Sequence, residues 1–425
     1  MLDMKFIREN TAVVEASLRK RGDIDGMKQL DELLKLDKDW RRQKQIVEEK
    51  RAKKNTVTEE IAKIKDASEK KRNIDEMRKL VQELAKDEDK LTSLRTALDY
   101  ILLRMPNLLH KSVPSGKDEK DNKLVRVFGK KPTFDFAPQD HIDIATKLDL
   151  VDIERAAKTS GARFYYLKNE LVELEYAILR MAMDILKKEK FVFHTTPTLL
   201  RGQVMQGAGF LPMGEEDIYR IVNEDLYLAG TSEQALAGLH MNETLEKETL
   251  PRHYAGFSTC FRTEAGSHGR DTKGIFRVHQ FDKLEMFIYS KPEDSWKEYE
   301  KLIDCAEKIF QELGLHYRVV NVCAGEIGNV AAKKYDIEAW LPGQNAYREM
   351  GSCSNCTDYQ AVGLNIKCRD KNGNSEYVHT LNSTAFASSR TLIAIIENYQ
   401  QKDGSVAVPK ALQKYVSFKK IAANK

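Results

Sequence analysis

The sequence predicts an α+β protein in which a long antiparallel helical hairpin precedes a domain of mixed strands and helices. Three observations carry that reading. Residues 27–105 contain neither proline nor glycine, and their apolar residues recur at alternating three- and four-residue spacing. Further on, amphipathic stretches at 171–188 and 293–315 interleave with short apolar runs at 191–197, 317–322 and 336–340 that read as strands. Residues 261–285 then read as two strands joined by a long, charged, glycine-containing loop.

The hairpin rests on two heptad series. Leu33, Trp40, Val47, Lys54 and Ile61 form one row, with Leu36, Gln43, Lys50, Val57 and Ile64 three residues later. Met77, Leu84, Leu91 and Leu98 form the second, with Leu80, Asp87, Leu94 and Ile101 three later. At about 1.5 Å per residue each arm is roughly 50 Å or longer. The charged stretch 66–73 suits the reversal. Gln43, Lys50, Lys54 and Asp87 interrupt the seam, so the arm is expected to project into solvent rather than build a large core. Its basic residues, Arg41, Arg42, Lys50, Arg51, Lys53 and Lys54 among them, suit either a solvated helix face or a grip on an RNA backbone. Ahead of it, residues 1–26 read as a short helix with Phe6, Ile7, Val13, Val14 and Leu18 on its apolar side. Pro106 ends the hairpin, the polar stretch 110–131 reads as a linker, and 132–425 is the second domain, with 1–109 as the first.

Composition narrows the class. With 425 residues, 41% hydrophobic and 32% charged, the chain suits a soluble protein of two to three domains. No run approaches the ~20 apolar residues of a membrane helix. The charged opening MLDMKFIREN has no apolar signal core, so a cytoplasmic protein without membrane partners is expected. A net charge of +4 permits local nucleic-acid binding without demanding it. Of six cysteines only Cys353 and Cys356 form C-x-x-C, with no second pair or histidines at matching spacing, so no structural zinc is expected.

Chemistry concentrates in four stretches. In 261–285, Arg262 can fork onto phosphate, Glu264 follows two residues on, and Phe281 offers an aromatic face, a set that suits a nucleoside triphosphate. A surface Arg–Glu pair over a core phenylalanine is the alternative. In 228–233 a hydroxyl and a carboxylate can bind an ammonium group, although Thr or Ser ahead of Glu also makes a helix N-cap. The run YREMGSCSNCTDYQ at 347–360 supplies hard oxygen ligands in Glu349 and Ser352. At 379–400 a strand passes through small residues into an apolar helix with Arg390 near its start, a place that favours anionic oxygen.

The wording of these stretches, FRTEAGSHGRDTKGIFRVHQFDKLE above all, resembles the class II aminoacyl-tRNA synthetases, and among them the seryl-tRNA synthetases. The resemblance spans nearly the whole chain, in order. It implies an antiparallel sheet flanked by helices, a coiled-coil arm that binds tRNA(Ser), and a homodimer formed through 171–197. It implies serine–tRNA ligase activity with ATP, Mg²⁺ and L-serine, leaving tRNA(Sec) open as a second acceptor. By resemblance Arg262 and Arg390 are catalytic, on the α- and γ-phosphates. Thr263, Glu264, Arg277, Val278, Phe281, Met350 and Gly351 complete the ATP site, and Glu349 and Ser352 hold Mg²⁺. Thr231, Ser232, Glu233 and Arg262 bind serine, Thr231 and Glu233 at its ammonium, and Glu285, Asn382 and Thr384 face its hydroxyl. The loop 265–274 would pass the terminal ribose of tRNA. Two departures stand out: Lys190 occupies a place where glycine is common, and Val362 and Gly363 replace commonly paired arginines. An inactive RNA-binding relative and a tRNA-independent ligase are the rival readings. The intact Arg262, Glu264, Glu285, Glu349 and Arg390 oppose the first, and the full-length arm opposes the second.

Overall fold

The computed structural model describes residues 1–265 and 273–423. Two compact units emerge, Met4–Met105 and a larger one made of Met1–Asp3 with Pro106–Lys425.

In the smaller unit, α1 (Met4–Glu9) and α2 (Thr11–Arg21) lead into the paired helices α3 (Ile24–Lys63) and α4 (Ala67–Leu102). Their 40 and 36 residues span about 60 and 54 Å at the helical rise. The seam buries Leu30, Leu33 and Val47 against Leu84, Leu98 and Ile101. Its polar interruptions satisfy one another. Gln43 Nε2 donates to Asp87 Oδ1 at 2.8 Å, and Lys50 Nζ reaches Asp87 at 2.8 Å and Glu83 at 2.9 Å. The reversal is tighter than the sequence suggests. It occupies only 64–66, because Asp66 caps α4 by accepting from the Ser68 and Glu69 N–H groups at 3.0 and 2.8 Å. The segment ahead of α3 is two helices rather than one. Ile7, Val14 and Leu18 are buried there, but Phe6 and Val13 face solvent.

The larger unit is built on an eight-stranded sheet. In chain order its strands are β1 (Lys123–Phe128), β2 (Val192–Thr195), β3 (Arg252–Phe261), β4 (Gln280–Ser290), β5 (Tyr317–Asn321), β6 (Lys333–Leu341), β7 (Ala346–Asn355) and β8 (His379–Ala387). They lie in the order β1-β5-β6-β7-β8-β4-β3-β2. Every pairing is antiparallel except β2 with β3. The stretch read as a linker therefore contributes an edge strand, β1, paired to β5. Alternation along β4 decides the faces. Leu284, Met286 and Ile288 enter the main core with α5 (Glu170–Lys188), α7 (Ser295–Glu312) and α8 (Ser388–Asn398), while Phe281, Lys283 and Glu285 face the other way. The second half of the 261–285 hairpin is less regular than expected, since strand geometry begins only at Gln280. Of the expected aromatic core trio, Tyr166 is exposed and Phe164 and Tyr165 are partly buried. Among the described residues, no helix is long and apolar enough to cross a membrane.

Of the residues that depart from the family pattern, Lys190 and Gly363 have a backbone explanation. Lys190, just after α5, has φ +65°, the left-handed conformation that glycine adopts at least cost. Gly363 lies against Gly207, whose carbonyl oxygen a Cβ at 363 would meet at 2.3 Å. An arginine at that position would force the two backbones apart.

Candidate active site

The hairpin of β3 and β4 sets the site. Its ladder continues one step past the strands, with Arg262 N–H donating to the His279 carbonyl at 3.0 Å. The His279 ring nitrogen Nδ1 also lies 2.9 Å from the Arg262 carbonyl. This pinned backbone delivers the Arg262 guanidinium, whose Nε donates to the Gly230 carbonyl at 3.2 Å and whose centre lies 5.2 Å from the Phe281 ring centroid. Glu264, at φ +52°, pairs with Arg277 at 3.1 Å. A cavity of about 150 Å³ opens between them, lined by Arg262, Glu264, Val278, Phe281 and Thr384, by Glu349, Met350, Gly351 and Ser352 of β7, and by Arg390. These ten are residues singled out from the sequence; Phe276, Lys283, Ala387 and Ser389 complete the lining.

Two irregularities in the sheet aim these side chains. The β6–β7 register shifts between Ile337 and Glu338, beside Gly351, and the β8–β4 register shifts between Thr384 and Phe386. Bulges of this kind redirect side chains next to functional sites. Gly351 is required there, because a Cβ would stand 2.8 Å from Thr384 Cβ.

At the far end, α6 (Ser232–Gly238) begins at Thr231, whose hydroxyl accepts from the Glu233 N–H at 3.2 Å. The cap reading of this stretch is therefore correct. It leaves the Glu233 carboxylate directed at polar partners, accepting from Gln360 Nε2 at 2.9 Å and Asn382 Nδ2 at 3.1 Å. Lys283 Nζ lies 2.6 Å from Glu285 Oε2 and 3.1 Å from Thr231 Oγ1. Loss of water, reinforced by Glu285, pushes the Glu233 carboxyl up to about 7. Burial also raises Glu285, against the opposing pull of Lys283.

At the other end, Arg390 sits in the first turn of α8, 3.3 Å from Glu349 Oε2, and donates to the Glu349 carbonyl at 3.1 Å. Two guanidinium groups lie over the Phe276 ring, Arg348 at 4.0 Å and Arg390 at 5.0 Å from its centroid. Asp336, opposite Ser352 across β6 and β7, has a buried Oδ1 with no hydrogen-bond partner. Desolvation, partly offset by Lys334, pushes its carboxyl up to about 7. Glu349, Ser352 and this orphaned oxygen are hard donors of the kind Mg²⁺ takes.

Some expected residues lie elsewhere. The Ser232 hydroxyl is fully buried and donates to the Gly256 carbonyl at 2.8 Å, so it is spent on structure. The Thr263 hydroxyl turns to the Glu216 carbonyl, leaving at most its backbone for the nucleotide. Residues 266–272 of the loop 265–274 lie outside the described residues. The reading from sequence missed Phe276, Lys283, Gln360 and Ser389. Lys283 was findable, because it shares a strand face with Phe281 and Glu285 at period two. Cys353 and Cys356 are buried free thiols. Among the described residues one group could share an ion, Asp140, His141 and Glu397. Those side chains pair with each other, with His141 Nδ1 2.9 Å from Asp140 and 3.1 Å from Glu397.

An antiparallel sheet carrying an Arg-x-Glu hairpin on one strand and an arginine-bearing helix after another defines the class II aminoacyl-tRNA synthetase core. Residues 218–399 match the family description "tRNA synthetase class II core domain (G, H, P, S and T)", and 1–109 match "Seryl-tRNA synthetase N-terminal domain". The chain belongs to the seryl-tRNA synthetase family. It is similar to the serine–tRNA ligases of Pyrococcus horikoshii and Nitrosopumilus maritimus, each 46% identical over 99% of this chain and over 97% and 100% of the relative. The crystal structure of seryl-tRNA synthetase from Pyrococcus horikoshii complexed with ATP superposes with a TM-score of 0.92 at 46% identity, covering 100% of both chains. That of the cytoplasmic serine–tRNA ligase from Naegleria fowleri in complex with AMP does so at 0.86 and 34% identity, covering 100% of this chain and 99% of the other.

Proposed function

We infer that this member of the family is a serine–tRNA ligase. In this reading it activates L-serine with ATP to seryl-adenylate and transfers the seryl group to the 3′ end of tRNA(Ser). The observation that carries the reading is one cavity with Arg262 and Arg390 on its wall, as a place for phosphates, and with Lys283 on the same wall touching Glu285 and Thr231.

In this assignment adenine stacks on Phe281, and Glu264, steadied by Arg277, reads its amino edge. Val278, Met350, Gly351 and the Thr263 backbone close the pocket around the nucleotide. Arg262 clamps the α-phosphate and Arg390 the γ-phosphate. Mg²⁺, which would be held by Glu349 and Ser352, neutralises phosphate charge when bound. The serine carboxylate attacks the α-phosphorus in line as the bond to pyrophosphate breaks. The protein supplies position and charge rather than a nucleophile. Thr231 and Glu233 hold the ammonium. Glu285, Asn382 and Thr384 meet the hydroxyl, and a site built around a hydroxyl rejects alanine because its buried polar groups would be left unpaired. The helical arm grips tRNA through its basic face, and two chains associate through 171–197, in the cytoplasm.

The test is serine-dependent ATP–pyrophosphate exchange without tRNA, with threonine and alanine as controls. Exchange with serine alone is expected. Absence of exchange with any amino acid in folded protein would transfer the assignment to a non-catalytic RNA-binding role. Charging of tRNA(Ser) and tRNA(Sec) in parallel then decides the acceptor.

A further inference from the structure

Lys283 is a cation whose place in the pocket the family assignment leaves unexplained. It is 8% exposed, lines the cavity beside Arg262, and touches two groups assigned to serine, Glu285 at 2.6 Å and Thr231 at 3.1 Å. The contact with Glu285 is a close charge pair that opposes the rise burial imposes on the Glu285 carboxyl. The ammonium is a point charge on a long flexible stem. Its ladder neighbours across the strands are small, Ser258 on β3 and Ala387 on β8.

We propose that Lys283 is an exchanging cation of the amino-acid pocket. In the free pocket it neutralises Glu285. When the zwitterionic substrate enters, the Lys283 ammonium moves to the substrate carboxylate and α-phosphate, alongside Arg262, and acts there as a catalytic cation. This inference rests on the assignment of Thr231, Glu233 and Glu285 to serine. The swap conserves charge, because the substrate brings one cation to the buried acids and one anion to the displaced lysine. In the chemical step a carboxylate oxygen forms a bond to the α-phosphorus and the bond to the pyrophosphate oxygen breaks, with the electron pair leaving on pyrophosphate. No proton moves through Lys283.

The experiment compares wild type, Lys283→Met and Lys283→Arg in full-length protein. Melting curves and AMP binding confirm that each variant is folded. Serine-dependent exchange is measured alongside calorimetric binding of ethanolamine, which has the ammonium and hydroxyl of serine but no carboxylate. In Lys283→Met, kcat for exchange is expected to fall about 100-fold, the scale for removing one charge-stabilising group. Ethanolamine is expected to bind more tightly than to wild type, because no resident ammonium occupies the place beside Thr231 that its own ammonium takes. Lys283→Arg should recover part of kcat. An unchanged kcat in Lys283→Met, or ethanolamine and serine weakened together, would overturn the proposal and leave Lys283 a fixed counter-ion. If wild type itself shows no serine-dependent exchange, the serine assignment fails first, and the proposal with it.

Discussion

Two polar clusters in this protein are built from similar residues and differ in how completely they close. In the arm, Gln43, Lys50 and Asp87 meet across the seam and satisfy one another. In the larger unit, Glu233, Lys283 and Glu285 crowd two buried carboxyls around one ammonium and stay unsettled, with the Glu233 carboxyl pushed to about 7. A closed cluster can set helix register, as polar residues in coiled coils do. An open one carries unspent electrostatic free energy that a ligand can release. Buried polar groups are therefore informative mainly through what they lack.

The largest effect that would sharpen this contrast is at the open cluster's rim. Arg262→Ala is expected to lower serine-dependent pyrophosphate exchange by about 1,000-fold, the upper range for losing one preorganised charge. Exchange within tenfold of wild type would remove Arg262 from the α-phosphate.

A cavity in the arm separates the units next. Leu33 is fully buried, and Leu33→Ala is expected to cost about 2–5 kcal/mol of helix-pair stability. Aminoacylation of tRNA(Ser) should fall while amino-acid activation without tRNA persists. Parallel loss of both would mean that the arm is needed for activation as well.

The open cluster also predicts a pH dependence. Loss of water, with Glu285 adding to it, raises the Glu233 carboxyl to about 7 in the empty pocket, and the substrate ammonium needs it ionised. Serine affinity should therefore weaken by up to about tenfold per pH unit below that point. The stability sign is opposite. The raised folded value favours the empty protein below the ordinary carboxyl range, an advantage lost as pH rises through about 7. The serine-induced rise in melting temperature should thus be larger at pH 8 than at pH 6, and Glu233→Gln should flatten the difference. An equal rise at both pH values would place the titrating group elsewhere.

The smallest effect belongs to the closed cluster. Gln43→Leu removes the donation of Gln43 to the Asp87 carboxylate and carbonyl while Asp87 keeps Lys50, so the arm should lose only about 1–2 kcal/mol by thermal melting. A much larger loss would mean that Gln43 sets the register alone.

Much of this protein was written in local sequence. The helical pair followed from heptad spacing, the 261–285 hairpin from its flanking runs, and Arg262, Glu264, Phe281, Glu349 and Arg390 from motif wording. The helical pair and the hairpin are present because periodicity and short-range geometry act within one element, and the five side chains line one cavity. Residues 110–131 read as a linker because most of that stretch is polar, while the short apolar run of β1 stays exposed and its pairing with β5 joins residues far apart in sequence. Ser232 and Thr263 looked available because nothing local reveals that a distant carbonyl takes each hydroxyl. Phe276, Gln360 and Lys283 acquired their places only when the sheet assembled. Sequence alone determined which elements form and which residue types carry the chemistry. Tertiary structure decided which of those groups keep an unused hydrogen bond or charge, because that depends on partners supplied by every strand and helix around them.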